Sequence, residues 1–378
     1  MTLTNTTTAE PQSPKLAVLI SFSGAGGVEK MVMNLVREFA KHLPTLDLLV
    51  LRASGPHFSD IPANVNVIHL KSQHTLTAIP ELARYMKHTP IQSLLVAKDR
   101  ATRAAVIARS ISGRDIRIVA RLGTNLSTAL AHRSRVSAWF RTAPMQRLYA
   151  KVNKIVAVSE GVAQDTLKIT KVEPERVMVI RNPVITEQIS KRQDDEALHP
   201  WLTDKTTTVI MGVGRLSIQK DFTCLLEAFA KVRAQRECKL IILGEGKLRE
   251  SLESNIETLG IQADVALPGF QKNVHAWLQA ADLFVLSSRW EGSPNALTEA
   301  LAMGTPSVST RCPSGPNEVL NEGEFGPLVE VGDAKGLAKA MQEVLNAPLP
   351  PETLTSAVNE YRAEISAQHY LTVLGINE

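Results

Sequence analysis

Short apolar runs alternate with stretches of helical period along almost the whole chain. Leu16–Ser21 reads as a first strand, and residues 28–42 read as the helix after it. Further strands are predicted at 47–51, 65–70, Ser93–Ala97, 117–120 and 154–158, with helices between them. The runs are continuous rather than alternating, as in strands covered on both faces of a parallel sheet. The pattern lapses over 186–206, where Lys191, Arg192, Asp194, Asp195 and Glu196 cluster before Pro200, which reads as a linker or an exposed excursion. It resumes with strands predicted at 208–212, 239–243, 264–267, Leu283–Leu286 and 307–309, and the tail over 352–374 reads as helical. The expected fold is α/β, with two doubly wound Rossmann-like domains facing a central cleft. The expected organisation is a disordered leader at 1–14, a first domain at 15–190 and a second at 191–359, with a C-terminal helix at about 360–378 packing back on the first. Such sheets bind ligands outside the carboxyl ends of their strands.

Composition narrows the classes. With 44% hydrophobic and 21% charged residues, the 378-residue chain has enough apolar material for two cores, which excludes wholesale disorder. Aromatics are 4%, too few for a surface built to stack nucleic-acid bases. No apolar run approaches the roughly 20 residues of a membrane span. The first residues have neither a basic region nor an apolar one, so they do not read as a secretory signal. Cys224, Cys238 and Cys312 are widely spaced with no CxxC pair, which points to neither disulfides nor zinc but to a reducing cytoplasm. Charge is uneven. Residues 1–200 hold 27 basic and 16 acidic side chains, residues 201–378 hold 15 and 22, and 98–151 alone hold 12 and 2. A basic surface facing an anionic partner is expected on the first half.

Four segments carry candidate chemistry. Ser23-Gly24-Ala25-Gly26-Gly27-Val28-Glu29 follows the first strand. It is either a plain strand-to-helix turn or a turn that lets backbone approach a phosphate or sugar. Glu29 breaks the GxGxxG dinucleotide fingerprint, which disfavours a NAD-dependent dehydrogenase, and no GK[ST] follows to make a P-loop. Gly212-Val213-Gly214-Arg215-Leu216, then Gln219-Lys220-Asp221, places two cations at a glycine turn. They are solvated surface charges or a diphosphate clamp, with Asp221 as a helix cap. In the stretch from Arg289 to Ala300, Ser293 and Pro294 read as N-cap and first helical residue. Glu291 and Glu299 there are solvated acids or acceptors for sugar and ribose hydroxyls. The segment from Arg311 to Glu318 is a proline-framed loop in which Ser314 and Gly315 either approach the same ligand or only turn the chain.

Together these segments resemble the family-4 retaining glycosyltransferases of the GT-B fold. Glu291 and Glu299 match the E-x7-E signature. Gly212 to Asp221 resembles the Gly-Arg-Leu…Lys-Asp diphosphate segment, and Gly26-Gly27-Val28-Glu29 the N-terminal Gly-Gly-x-Glu loop. Val158-Ser159-Glu160-Gly161-Val162 and Arg181-Asn182-Pro183-Val184 resemble family segments near the end of the first domain. The resemblance runs from about residue 16 to 345. It implies metal-independent transfer from a nucleotide-diphosphate sugar, UDP favoured over GDP, with retained anomeric configuration, and no D-x-D triplet is present. By the same resemblance Arg215 and Lys220 hold the diphosphate and Glu291 faces the sugar, these three forming the catalytic set. Glu299 binds the ribose, backbone near Asn295, Ala296 and Leu297 touches phosphate or sugar, and Gly26 and Gly27 line the donor–acceptor junction. The first domain is then the acceptor side and the second the donor domain. Many relatives place a histidine after the strand that here precedes Arg121-Leu122-Gly123-Thr124-Asn125; none is present, and Arg121, Thr124 or Asn125 is a candidate substitute.

Bacterial relatives extend lipid-linked glycans, so the implied acceptor is a glycan or lipid-linked sugar. Basic residues interleave with Trp139, Phe140, Leu148 and Tyr149 over 132–151. That helix either packs on its own sheet or lies against anionic lipid, and residues 98–151 are the candidate membrane face at the inner side of the membrane. Nucleic acid is not an expected partner, since no recognition motif accompanies the charge. Two other readings fit the same residues: a catalytically silent nucleotide-sugar-binding scaffold, or another GT-B reaction such as epimerisation or sugar–phosphate synthesis.

Overall fold

A computed structural model of the chain describes residues 15–21, 26–51, 60–72, 74–127, 135–190, 198–204 and 206–376. The leader at 1–14, Ser23, Gly24 and Ala25 of the first glycine turn, residues 132–134 of the basic segment and the charged cluster at 191–197 lie outside the described residues. The chain forms two compact units. One takes in the chain up to Ala157, Asp165–Ile180 and Glu364 onward; the other takes in Val158–Gln164 and Arg181–Ala363. The sequence places boundaries near 190 and 360, whereas contacts divide the chain after Ala157, Gln164, Ile180 and Ala363.

The first unit is built on a parallel sheet of β1 (Leu16–Ser21), β2 (Leu46–Leu51), β3 (Val65–His69), β4 (Ser93–Ala97), β5 (Arg117–Leu122), β6 (Lys154–Ala157) and β7 (Val177–Val179), in the order β3-β2-β1-β4-β5-β6-β7. β1 is the central strand, with Leu19 registered against Leu49 of β2 and Val96 of β4. Every residue from Leu16 to Ile20 is fully buried, as a strand covered on both faces must be. Helix Gly27–His42 lays Val32, Leu35, Val36 and Phe39 on the sheet and ends where Leu43, extended before Pro44, cannot continue it. The C-terminal helix Ala363–Leu374 completes this core with Ala367, Tyr370, Leu371 and Leu374. Its end is tied by Ser93 Oγ donating to Leu374 O (2.5 Å) and Arg117 Nε donating to Val373 O (2.8 Å).

The second unit repeats the plan with β8 (Thr208–Val213), β9 (Cys238–Leu243), β10 (Val265–Gly269), β11 (Leu283–Leu286), β12 (Ser307–Thr310) and β13 (Leu328–Val329), in the order β10-β9-β8-β11-β12-β13. Helices Phe222–Arg233 and Ala334–Asn346 cover one face with Leu225, Phe229, Leu337 and Met341. Both units are therefore doubly wound parallel α/β folds, as the periodicity predicts.

Several details differ from the expected pattern. β7 and β13 are edge strands of three and two residues, too short to register as apolar runs. β5 runs on through Arg121, which is 1% exposed, so this candidate substitute for the missing histidine lies inside the domain. The tail is broken into helices Pro351–Ser356 and Ala363–Leu374 around a 3-10 turn at Asn359–Tyr361. The basic segment is partly consumed by its own fold. Arg109 donates to Ile116 O, to Asn153 Oδ1 and to Lys151 O, Arg103 pairs with Asp99, and Tyr149 is fully buried with its hydroxyl donating to Asp99 Oδ1 (3.2 Å). The side chains of Trp139 and Phe140 are outside what is described.

Tyr370 is fully buried, edge-on to Phe39, and burial pushes its hydroxyl pKa up to about 12. Tyr370→Ala should destabilise the first unit by about 3–5 kcal/mol, the usual loss for a buried aromatic. Urea unfolding checks this, and an unchanged midpoint would mean that the C-terminal helix contributes little to this core.

Candidate active site

The strand order of the second sheet reverses between β8 and β11. Strands run from β8 to β9 and β10 on one side and from β11 to β12 and β13 on the other. The two chains leaving the carboxyl ends of β8 and β11 must diverge there, which opens a crevice. The glycine turn with its two cations leaves β8; the segment holding Glu291 leaves β11.

The two loops are laced together. Lys220 Nζ stands 2.5 Å from Glu291 Oε1, and Ser288 Oγ donates to the same oxygen at 2.6 Å. Ser287 Oγ donates to Lys220 O (2.8 Å), Gln219 Nε2 to Trp290 O (2.9 Å), and Arg289 N to Gln219 O (2.8 Å). Glu291 is 7% exposed and the Lys220 side chain 16%, so the pair is largely withdrawn from water. Arg215 belongs to the same β8 loop, but its side chain is exposed. Asp221 is the N-cap residue of helix Phe222–Arg233, as predicted, but its side chain makes no cap hydrogen bond. Its backbone is left-handed (φ 46°), and its carboxylate takes Arg289 Nε at 2.8 Å instead.

Close backbone approach explains the glycines. A Cβ at Gly244 would stand 2.0 Å from Gly214 O, and one at Gly246 would stand 2.2 Å from Leu216 O. The loop after β9 thus supports the cation-bearing loop with bare backbone. Gly315 (φ 102°) does the same under Pro294, where a Cβ would lie 2.5 Å from the proline Cδ.

Helix Asn295–Ala302 begins one residue later than the capping pattern predicts. Pro294 is its N-cap, and the Ser293 hydroxyl, expected to cap, is buried without a hydrogen-bond partner among the described residues. The N–H groups of Asn295 and Leu297 are spent on the carbonyls of Ser293 and Pro294, at 3.0 Å each. Glu299, in the second turn of this helix, is 6% exposed, with His275 Nε2 3.6 Å from its Oε1. Cys312 is no nucleophile here: burial, then the nearby Glu291 carboxylate, pushes its thiol pKa up to about 12.

The first unit carries its own polar cluster at the carboxyl ends of β1 and β4. Glu29 is 2% exposed and pairs with Lys98 Nζ at 2.8 Å, and the same Nζ donates to Ser21 O at 2.7 Å. A Cβ at Gly26 would stand 2.4 Å from Glu29 Oε2, so the glycine makes room for this carboxylate; Gly27 is exposed.

Comparison with known proteins settles the class. Residues 25–188 match the family model described as Glycosyltransferase Family 4, and residues 207–347 the one described as Glycosyl transferases group 1. The chain is a GT-B glycosyltransferase. Over 346 residues, 88% of this chain and 90% of the relative, it is 26% identical to the N-acetylgalactosamine-N,N'-diacetylbacillosaminyl-diphospho-undecaprenol 4-alpha-N-acetylgalactosaminyltransferase of Campylobacter jejuni. It is 33% identical over 177 residues to the lipopolysaccharide core biosynthesis glycosyltransferase LpsE of Rhizobium meliloti, 46% of this chain and 51% of that one. Its fold matches HepE of Anabaena, solved in complex with UDP and glucose, with a TM-score of 0.73 and 20% identity over 96% of this chain and 97% of the other.

The glycosyltransferase thus brings Lys220 and Glu291 into contact and sets Asn295, Ala296, Leu297 and Glu299 on the helix that follows. Sequence reasoning missed Ser288, His275, Lys98 and the Gly244/Gly246 support. Ser288 stands directly before the Arg289–Ala300 stretch and Lys98 opens the basic segment 98–151, but neither carries a pattern of its own. Gly244-Glu245-Gly246, directly after a strand, is a signal that was available.

Gly244→Ala separates collision from strain. Gly244 and Gly260 both have positive φ, but a Cβ at Gly260 meets nothing within 4 Å. Gly260→Ala should cost about 1 kcal/mol of stability and leave transfer intact. Gly244→Ala should displace the 214–216 backbone and abolish most transfer, measured with any active donor–acceptor pair. Equal activity in the two variants would contradict the support role.

Proposed function

We propose that this enzyme transfers a sugar from a nucleotide-diphosphate sugar, with UDP as the carrier, to a lipid-linked glycan, with retention of anomeric configuration and without a metal. The observation that carries the reading is the Lys220–Glu291–Ser288 cluster at the strand-order reversal, with Glu299 on the next helix. A sugar diphosphate needs cations where charge develops on the leaving oxygen. Lys220 is held there before any ligand arrives, so its side chain is ordered in advance. Arg215, exposed on the same loop, is free to close on the diphosphate as a bidentate fork. In the reaction the bond from the anomeric carbon to the phosphate oxygen breaks with its electron pair going to the diphosphate. The acceptor hydroxyl bonds to that carbon on the face the diphosphate leaves, and its proton passes to the departing diphosphate oxygen. Glu291 faces the sugar, Glu299 accepts from the ribose hydroxyls, and Asn295, Ala296 and Leu297 bound the phosphate end, with Ala296 as the amide of the three not used by Ser293 or Pro294. Gly26 and Gly27 are assigned to the donor on the resemblance alone. The Campylobacter relative, named for a diphospho-undecaprenol substrate, supports a lipid-linked acceptor. Among the described residues no helix is long and apolar enough to cross a membrane. We assign membrane contact to the basic segment 98–151, in which Arg100, Arg114, Arg147 and Lys151 are exposed.

Lys220→Ala should reduce transfer by about 10²–10³-fold, the usual loss of a transition-state charge donor. Proton NMR of the product of the wild type should show the anomeric configuration of the donor, and EDTA should leave the rate unchanged. Inversion, or loss of activity restored by a divalent cation, would overturn the mechanism. Co-sedimentation at low salt should favour anionic over neutral vesicles; equal binding would remove the membrane assignment.

A further inference from the structure

Two sequence segments far from the E-x7-E stretch reach its turn with buried polar side chains. Ser159, 1% exposed, donates its hydroxyl to Gly292 O at 2.6 Å. Asn182, 4% exposed, donates Nδ2 to Asn295 Oδ1 at 2.8 Å. Both belong to the second unit together with the turn. Their own anchorage is firm. The Glu318 carboxylate accepts the N–H groups of Glu160 (2.8 Å) and Gly161 (3.1 Å) and pairs with Arg181, whose guanidinium lies 5.9 Å from the Tyr361 ring centroid. A Cβ at Gly161 would stand 2.4 Å from Ser314 Oγ, so this segment also packs tightly on the proline-framed loop.

We propose that Asn182 and Ser159 are positioning residues that hold the Glu291–Asn295 turn in place while the donor is bound. This rests on the donor reading above. The physical need follows from the Lys220–Glu291 pair. Without ligand, Glu291 is tied to the β8 loop through that pair, beside the bonds that join Gln219 to Trp290 O and to the Arg289 N–H. A diphosphate that draws Lys220 toward itself weakens this tether at the moment when Glu291 and the helix start must stay still. The bonds to Gly292 O and Asn295 Oδ1 come from residues 159 and 182, outside the β8 loop, and do not use Lys220. With Lys220 drawn off, the remaining β8-loop bonds end at or before Trp290, and the stretch from Glu291 onward depends on ties from other segments.

The test uses the full-length enzyme with Asn182→Ala, Asn295→Ala and the double variant. Ser159 is less clean, because its hydroxyl also accepts the Val162 N–H at 3.3 Å as a helix cap. Asn182→Ala should lower kcat about ten- to a hundredfold, as misplacement of a reacting group does, with donor KM changed by less than about threefold. In the Asn295→Ala background it should cost nothing further, since it acts through that amide. Melting temperature and calorimetric UDP affinity of each variant keep folding and binding separate from turnover. Multiplying losses in the double variant, or unchanged kcat in Asn182→Ala, would overturn the positioning role while wild-type UDP binding still upheld the donor site. A wild type that binds no UDP would overturn both.

Discussion

A lysine held against a mostly buried glutamate is the constraint around which the second domain is arranged. Taking Lys220 and Glu291 out of water costs several kcal/mol per ion, and their attraction repays it only with good geometry and further hydrogen bonds. Here a third group, the Ser288 hydroxyl, completes the shell of Glu291 Oε1. Removing one partner of such a pair usually costs about 3–5 kcal/mol, because a charge is left buried and alone. The pair therefore reads as stored readiness: a cation kept desolvated and oriented at the strand-order reversal. The crossed bonds of Ser287, Gln219 and Arg289, and the bare glycine backbone of the β9 loop, keep the two loops at the spacing that the pair requires.

The first domain repeats the device at the same topological position with the charges exchanged. In its sheet the order reverses between β1 and β4. Glu29 follows β1 and Lys98 follows β4, whereas in the second sheet the lysine follows the first strand and the glutamate follows the fourth. Lys98 adopts a left-handed backbone (φ 78°) to do so, a strain of roughly 1–3 kcal/mol that needs surrounding structure to hold it. Two doubly wound sheets of the same order thus each close their crevice floor with one Lys–Glu pair.

Much of this was legible in the sequence. Continuous apolar runs located all the long strands because parallel strands are buried on both faces, and the motif spacing named Lys220, Glu291 and Glu299 before their geometry was known. What was not legible has physical causes. β7 and β13 are too short to carry a pattern. Ser293 and Asp221 have the residue types of caps, but cap propensity is local: Asp221 holds the N-cap position with its carboxylate turned to Arg289, and Pro294 takes the cap position before Asn295. Tyr149 has the look of an interfacial aromatic, yet Asp99 offers its hydroxyl a partner inside the domain. Asn182 and Ser159 are small polar residues whose importance lies only in what they reach, more than a hundred residues away.

The proposed nucleotide-diphosphate site consists of helix Asn295–Ala302, Glu291 before it and the Lys220 loop. A thermal-shift panel of UDP, GDP and ADP on the wild type and Glu299→Ala tests it most directly. A nucleotide at about 100 times its dissociation constant adds about 2.7 kcal/mol to the native state. A clear shift with UDP, larger than with GDP or ADP and diminished in Glu299→Ala, is expected. No shift with any nucleotide, or an equal shift in the variant, would contradict the site.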